Sequence, residues 1–433
     1  MLRIFSVLAL TAVTWPALAD DLLSLYQRAV LAAPELSGSE YALAIARAQE
    51  DQAFGKLLPK AEASGSYSLN RLTYQNRAAS EYEGKRATLM IIQPLFDLQA
   101  YLLMKSQESR TSQGEEELLA AHQQLIADLV ERYITALDAA DNSEIIAAEL
   151  TTTEQQLNRV TAMQAKQLAL ITDVYELQAR VETLRTELLD SDNEARIALE
   201  KLRELTGDAV TKIQPARLDL AQPPPEGTID SWVQEVGQLN PEIQALKHEV
   251  ESAKQSISAY RAGHLPRVEL QLSGNYADTG FNNQQSPPYD VGSATVQATL
   301  PLYEGGITQA RVREAEARRG LTGAKLEQKR RELEQQARAA FLDMSTAPAR
   351  NQAADRQLAA SERSREGMRK GYELGVVTII DLLDAEQKLS KARKIQREAR
   401  YRYLKARSAL YRQSGRLIAD ELVALNNWLV KAP

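Results

Sequence analysis

Two stretches of the chain alternate apolar and polar residues as a half-buried β-strand does. In the first, one side carries Ala61, Ala63, Gly65, Tyr67 and Leu69, and the other carries Glu62, Ser64, Ser66, Ser68 and Asn70. The second stretch repeats the pattern from Val268 to Tyr276. A period of two places successive side chains on opposite faces of a strand. With a partner for each stretch, the pattern predicts strands at about 61–77, 84–97, 267–281 and 290–303.

The remaining regular pattern is that of very long helices, predicted over about 98–165, 170–206, 305–373 and 378–415. The first of them contains no proline, whereas Pro348 interrupts the third. From Leu170 to Leu205, apolar or small residues follow a strict four-three spacing, which is typical of a coiled coil. Helices of this length favour a coiled-coil assembly over a globular core.

Three prolines indicate that the two halves of the chain are copies of each other. Pro34, Pro59 and Pro94 recur 207 residues later as Pro241, Pro266 and Pro301, with matching neighbours. We therefore divide the chain into a first repeat at 20–206, a linker at 207–228, a second repeat at 229–415 and a tail at 416–433. The linker is rich in proline, which ends helices and strands. The predicted fold is mainly helical, with a duplicated unit of strands and long helices.

Residues 1–19 have the form of a cleaved signal peptide. Arg3 precedes an apolar core, and Ala17-Leu18-Ala19 fits the small-residue cleavage site. Elsewhere no segment approaches the roughly 20 apolar residues that a spanning helix needs. A membrane crossing would therefore use strands closed into a barrel, which takes about eight strands. Since one chain offers four, the sequence predicts an oligomer and leaves the number of chains open.

Composition removes most kinds of catalytic or metal site. The 433 residues include no cysteine, which excludes disulfides, thiolate metal sites and a lipid anchor on cysteine. The three histidines lie far apart, and neither a phosphate loop nor a nucleophile motif is present. We therefore predict that the protein is not an enzyme and holds no cofactor.

One predicted helix is strongly basic. The segment Lys388–Arg412 carries ten basic residues and one acidic residue, whereas 173–200 carries eight acidic and three basic ones. An exported protein has little access to nucleic acid, so we predict no nucleic-acid partner. A solvated basic face is the simplest interpretation. Our hypothesis is that the two helices are neighbours, or meet across a subunit boundary, with complementary charges.

An ordered set of motifs resembles the TolC family of outer membrane factors, the exit ducts for drug efflux and type I secretion. The resemblance covers nearly the whole chain after residue 19. Its carriers are the helix starts Pro34-Glu35 and Pro241-Glu242, the strand entry His264-Leu265-Pro266, the segments Leu300–Gly306 and Tyr372–Gly375, the run Thr378–Ala385 and the tail motif Glu421–Asn427.

The resemblance implies a homotrimer in contact with outer membrane lipid. Each chain would give four strands to a twelve-stranded transmembrane β-barrel, the long helices would form a periplasmic tunnel, and the tail would be equatorial. A periplasmic adaptor protein and an inner-membrane ABC or proton-driven transporter would dock at the narrow inner end. Proteins, small toxic molecules or both would pass outwards.

A soluble periplasmic coiled-coil adaptor or scaffold is the alternative function. It would also explain the signal peptide and the long helices. It does not explain four amphipathic strands paired by duplication.

By the same resemblance, Asp381 and Asp384 match aspartates that ring the periplasmic entrance. They are three residues apart, so one helix face carries both. Three copies would crowd carboxylates around one axis, which raises some pKa values, favours cations and would let divalent or larger inorganic cations plug the pore. No dedicated metal site is predicted. Without the resemblance, two solvent-facing aspartates are the ordinary interpretation.

A polar gate network is also implied by the resemblance. Tyr372 matches its tyrosine, and Thr172 and Asp173 match the partners of that tyrosine. The network's usual arginine is absent, because Val377 stands at its position. Closure is therefore expected to rest more on packing and on Tyr372.

The resemblance also implies adaptor contacts at the turns between the long helices. Leu374, Gly375 and Val376 match this tip in the second repeat, and Leu168 is its counterpart in the first. The first repeat has Gln167 where the second has Gly375. The glycine of the usual tip is therefore lost in the first repeat, where Leu168 is the predicted adaptor contact.

Overall fold

The structure is a computed structural model that describes residues 19–73, 75, 78–217, 220, 222–278 and 287–429. The predicted signal peptide lies outside this set except for Ala19. The described residues form α1 (Leu22–Ala32), α2 (Pro34–Gly55), β1 (Lys60–Leu72), β2 (Ser80–Phe96), α3 (Leu98–Gln164), α4 (Ile171–Thr206), α5 (Ile229–Leu239), α6 (Pro241–Ala262), β3 (Arg267–Asp278), β4 (Tyr289–Thr299), α7 (Ile307–Glu373), α8 (Ile379–Gln413) and α9 (Ala419–Asn426).

The chain forms two compact units. One unit comprises the described residues of 38–119 and 241–330, and it contains the sheet. The other comprises the described residues of 1–37, 120–240 and 331–433, and it contains both turns between long helices.

The sheet has the strand order β1-β2-β3-β4, with each neighbouring pair antiparallel. Its register places the predicted apolar residues in common rows across the four strands. One such row is Ala61, Ile91, Leu272 and Ala294, and the next residue along each strand gives a more polar row of Glu62, Met90, Ser273 and Ser293. The period-two alternation therefore produces the single apolar face that it predicts.

Several strand ends differ from their predicted positions. β1 ends at Leu72 rather than near 77, although residues 74, 76 and 77 lie outside the described set. β2 begins at Ser80 rather than 84, because Leu72 pairs with Ser80 and the polar start of the strand stays in the ladder. β4 ends at Thr299 rather than 303, just before Leu300-Pro301, where proline offers no N–H.

The helix ends shift for backbone reasons. α7 begins at Ile307 because Gly305 and Gly306 have positive φ angles of 61° and 84°, which are not helical. α8 ends at Gln413 because Gly415 has a φ of 79°. Bare polarity patterns do not reveal these two-residue corrections.

α7 runs continuously through Pro348, so the single long helix predicted over about 305–373 is confirmed. A proline inside a helix removes one backbone hydrogen bond and crowds the preceding turn. Here the turn before Pro348 is held by burial, because Met344 and Ala347 are only 4% and 1% exposed. Tertiary packing thus overrides the local cost of the ring.

The predicted coiled-coil seam of α4 is confirmed over most of its length. Val174, Leu177, Val181, Leu184, Ser191, Ala198 and Leu202 are buried. The seam starts at Val174 rather than Leu170, whose side chain is exposed. In α8 a similar row of mostly small or aromatic side chains is buried, namely Ala392, Ala399, Tyr403, Ala406 and Leu410.

The basic side chains of α8 pair mainly with helices other than α4. Arg397 lies 3.1 Å from Asp141 of α3, and Arg400 and Arg402 lie 3.0 and 2.6 Å from Asp355 and Asp343 of α7. Within one chain the acids that pair with α8 therefore lie on α3 and α7, and a meeting of α8 with the acidic α4 across a subunit boundary stays a prediction. The basic helix is balanced by acids on its flanking long helices.

Within the placed part of the chain, none of the helices has the length and apolar character that a membrane crossing requires.

Candidate gate at the helical turns

Each long-helix hairpin closes through the same pattern of backbone hydrogen bonds. In the first turn, the N–H of Leu168 donates to Met163 O at 2.9 Å. In the second, the N–H of Val376 donates to Gly371 O at the same distance. A bond of this span, from a residue of the turn back to the carbonyl five positions earlier, is the Schellman type of helix end. The two copies therefore end α3 and α7 in the same way.

The residue before each of these donors lies in the left-handed region. Gly375 has a φ of 74°, and Gln167 has a φ of 59°. Glycine adopts this conformation freely, whereas a side chain makes it costly. The first turn thus keeps its backbone shape without the glycine, at the expense of strain at Gln167. The sequence could show the loss of the glycine but not that the turn would survive it.

The tip residues are strongly exposed. Leu168, Leu374 and Val376 are 68%, 79% and 77% accessible to solvent. Apolar side chains exposed at the end of a hairpin are typical of a contact with another protein. Whether an adaptor uses them stays a prediction.

Tyr372 and Asp173 lie together between the two hairpins. The Tyr372 hydroxyl donates to Asp173 Oδ2 at 3.3 Å. Burial, followed by the charge of Asp173 and this hydrogen bond, raises the pKa of Tyr372 to about 12. The tyrosine therefore stays a neutral donor at physiological pH. Thr172 is exposed on α4 and takes no part in this bond.

Beneath this hydrogen bond lies a small apolar cluster that joins the four long helices. Val160, Val174, Leu177, Ile379 and Leu382 are each at most 5% exposed. Tyr372 and Met368 pack against the cluster. The two hairpins are thus held by burial as well as by the Tyr372–Asp173 contact.

Asp381 and Asp384 are both exposed, and each already has a partner within its own helix. Asp381 closes a capping box at the start of α8, where Thr378 Oγ1 donates to Asp381 Oδ2 at 2.6 Å. The side-chain and backbone bonds from Thr378 hold the pKa of Asp381 below its usual value. Asp384 lies 2.5 Å from Lys388, one turn further along.

A buried carboxylate lies deeper between the hairpins, and pattern reasoning missed it. Glu386 is only 7% exposed, accepts a bond from Gln156 Nε2 at 3.4 Å, and lies 3.9 Å from Arg365 Nε. Burial is the main cause of its raised pKa. The helices that carry Gln156, Arg365 and Glu386 are α3, α7 and α8, and together with α4 they line a cavity of about 690 Å³. The position of Glu386 among buried Ala385 and Leu389 is the only sequence signal that could have marked it.

Comparison with known proteins identifies the fold. The family model described as "Outer membrane efflux protein" matches residues 25–208 and again 232–416. These two matched segments correspond to the two copies that the proline spacing predicts, so the duplication is confirmed. The crystal structure of the Campylobacter jejuni CmeC outer membrane channel superposes with a TM-score of 0.81, at 16% identity over 99% of this chain and 98% of that one.

Two relatives also match over most of this chain. The chain is 26% identical to the outer membrane protein TolC of Escherichia coli strain K12, over 100% of this chain and 89% of that protein. It is 28% identical to the alkaline protease secretion protein AprF of Pseudomonas aeruginosa, over 80% of this chain and 73% of that protein. Because the family model matches most of the chain in both copies, this protein belongs to the outer membrane efflux protein family.

Proposed function

We propose that this protein is an outer membrane exit duct for a transport complex that spans the periplasm, and that it is gated at the turns of its long helices. The observation that carries the proposal is the match of both repeats to the outer membrane efflux protein family. The long helical hairpins and the four-stranded sheet are the parts that such a duct needs. The proposed cargo is proteins, small toxic molecules or both.

A homotrimer is the proposed working state. In the sheet, β1 and β4 stand at the two ends of the strand order, and β4 is exposed along its whole length. Strand edges in a membrane need partners, because an unpaired backbone group in lipid costs several kcal/mol. Neighbouring copies would supply those partners, with outer membrane lipid against the apolar face.

The proposed partners at the turns between the long helices are a periplasmic adaptor protein and an inner-membrane ABC or proton-driven transporter. Support comes from the exposed apolar tips at Leu168, Leu374 and Val376. The Tyr372–Asp173 bond and the apolar cluster beneath it lie just behind these tips. Docking at the tips would therefore act directly on the contact that joins the hairpins.

Cell fractionation tests the proposal against the soluble adaptor or scaffold. We expect the protein in the outer membrane fraction, as a trimer that migrates slowly on unheated gels and as a monomer after boiling. A monomer found in the soluble periplasmic fraction would instead support the adaptor alternative and end the exit-duct proposal.

The acidic entrance is tested by the double change Asp381→Ala and Asp384→Ala. Three chains bring these carboxylates to one narrow axis, so their removal should lower cation selectivity and weaken block by multivalent cations. Single-channel conductance in planar bilayers measures both effects. Glu176→Ala is the matched control, because Glu176 holds in the first copy the position of Asp384. Equal selectivity in the double variant and the wild type would refute the assignment.

A further inference from the structure

The turn before α8 packs against Gly371 of α7, a position that has no side chain. A Cβ atom built on Gly371 would lie 2.5 Å from Val377 Cγ2 and 3.3 Å from Val377 Cβ. Carbon atoms do not approach to 2.5 Å without bonding, so Val377 occupies the space that any side chain at 371 would need. Val377 is β-branched and stiff, which leaves it little freedom to move aside.

The first copy solves the same contact in the opposite way. There Met163 holds the helix position of Gly371, and Ala169 holds the turn position of Val377. The same backbone bond is present in both copies: the N–H of Leu168 donates to Met163 O, as the N–H of Val376 donates to Gly371 O. By position, the bulkier side chain is therefore on the helix in the first copy and on the turn in the second.

The contact lies between the parts of the candidate gate. Gly371 immediately precedes Tyr372, whose hydroxyl bonds to Asp173. Val377 immediately precedes Thr378, which caps α8 together with Asp381. Glycine inside a helix weakens it relative to alanine, so its place here calls for a packing reason. Seating Val377 is that reason.

We propose that Gly371 and Val377 are a positioning pair that holds the second turn against α7 and thereby keeps Tyr372 on Asp173 and the gate closed. In this chain the pair supplies by packing what a charged side chain at position 377 could supply by ion pairing. Its effect on conduction rests on the proposed function, whereas its effect on the geometry of the turn does not.

The test is a double-mutant cycle with Gly371→Ala, Val377→Ala and the combination of both. The Gly371→Ala variant adds a Cβ against Val377, so the turn should lift and the channel should open more often. In the combined variant the Cγ atoms of Val377 are gone, and the remaining Cβ atoms can lie in ordinary contact after a shift of a few tenths of an ångström. The combined variant should therefore return towards the wild type. Gly367→Ala, one turn earlier with nothing within 4 Å, is the control.

Two readouts separate this proposal from the proposed function. Amide exchange of Val376, whose N–H bonds to Gly371 O, should accelerate about tenfold in Gly371→Ala and recover in the combined variant. Bilayer conductance should follow the same order. If the wild type conducts no ions, the exit-duct function fails, and the exchange data still decide the positioning claim.

Unchanged Val376 exchange in Gly371→Ala would overturn the proposal, as would a combined variant at least as perturbed as the two single changes together. If Gly371→Ala fails to form trimers, Val377→Ala carries the test. It leaves a void rather than a clash, and it should accelerate Val376 exchange several-fold while Gly367→Ala does not.

Discussion

Single side chains at the turns determine how closely the two repeats are tied. Gln167 carries backbone strain that its counterpart Gly375 avoids, and Glu386 carries a charge into a site that is nearly closed to water. Neither feature follows from the periodicity of the sequence. Both require knowing the backbone conformation or the burial at one position.

Gln167→Gly should strengthen the first turn. Glycine adopts the positive φ without a steric penalty, and after its greater unfolded-state entropy is subtracted the gain should be about 0.5–1 kcal/mol. Exchange of the Leu168 amide, which bonds to Met163 O, should slow accordingly. Lys166→Gly, on the neighbouring exposed residue, is the control and should not slow exchange. Faster Leu168 exchange in Gln167→Gly would show that the strain argument is wrong.

Glu386→Gln should change how stability depends on pH. The pKa of Glu386 is raised in the folded protein, so the folded state holds this proton more tightly than the unfolded state does. Folding is therefore favoured at low pH, and that stability is lost as the pH rises from the unfolded pKa through the raised one. The glutamine variant has no charge to bury and should therefore lose less stability as the pH rises.

Thermal unfolding of detergent-solubilised protein at a series of pH values measures this difference. Glu386→Gln should melt above the wild type near neutral pH, and the gap should close in acid. Glu362→Gln, at an exposed position of α7, should show no such trend. A gap that widens in acid would contradict the sign of the argument.

At the scale of elements, the sequence predicts type and order well and ends less well. The strands follow from the period-two alternation of apolar and polar residues, and the long helices follow from the four-three spacing of apolar residues. The helix predicted over 305–373 is one element in spite of Pro348, and the burial of Met344 and Ala347 explains how α7 continues through the proline. The start of β2 was missed because Ser80–Glu83 is mostly polar and, among the described residues, pairs with β1.

Pro348→Ala should stabilise α7. Alanine restores an N–H that can bond within the helix and removes the ring from the preceding turn, which should add about 1–3 kcal/mol. Thermal unfolding in detergent should show a higher midpoint, whereas Thr346→Ala on the exposed face should change it little. A lower midpoint for Pro348→Ala would mean that the proline is favoured by its surroundings.

At the scale of the whole molecule, duplication explains both what was predicted and what was not. Matched prolines revealed two copies, and the family match falls on the same two segments. The copies have diverged at the gate, where Met163 and Ala169 of the first repeat hold the positions of Gly371 and Val377 in the second. Only the structure shows that both turns keep the same backbone hydrogen bond, because the residues at equivalent positions differ in chemical type.

The central claim is that this chain forms a gated duct, and conductance of the purified protein in planar bilayers tests it most directly. The account predicts discrete channels of low conductance that prefer cations and are blocked by multivalent cations added on the side of the helical turns. It also predicts larger, less selective openings for Gly371→Ala than for the Gly367→Ala control. Purified wild-type trimers that insert into the bilayer and give no ion-conducting channels would contradict the account.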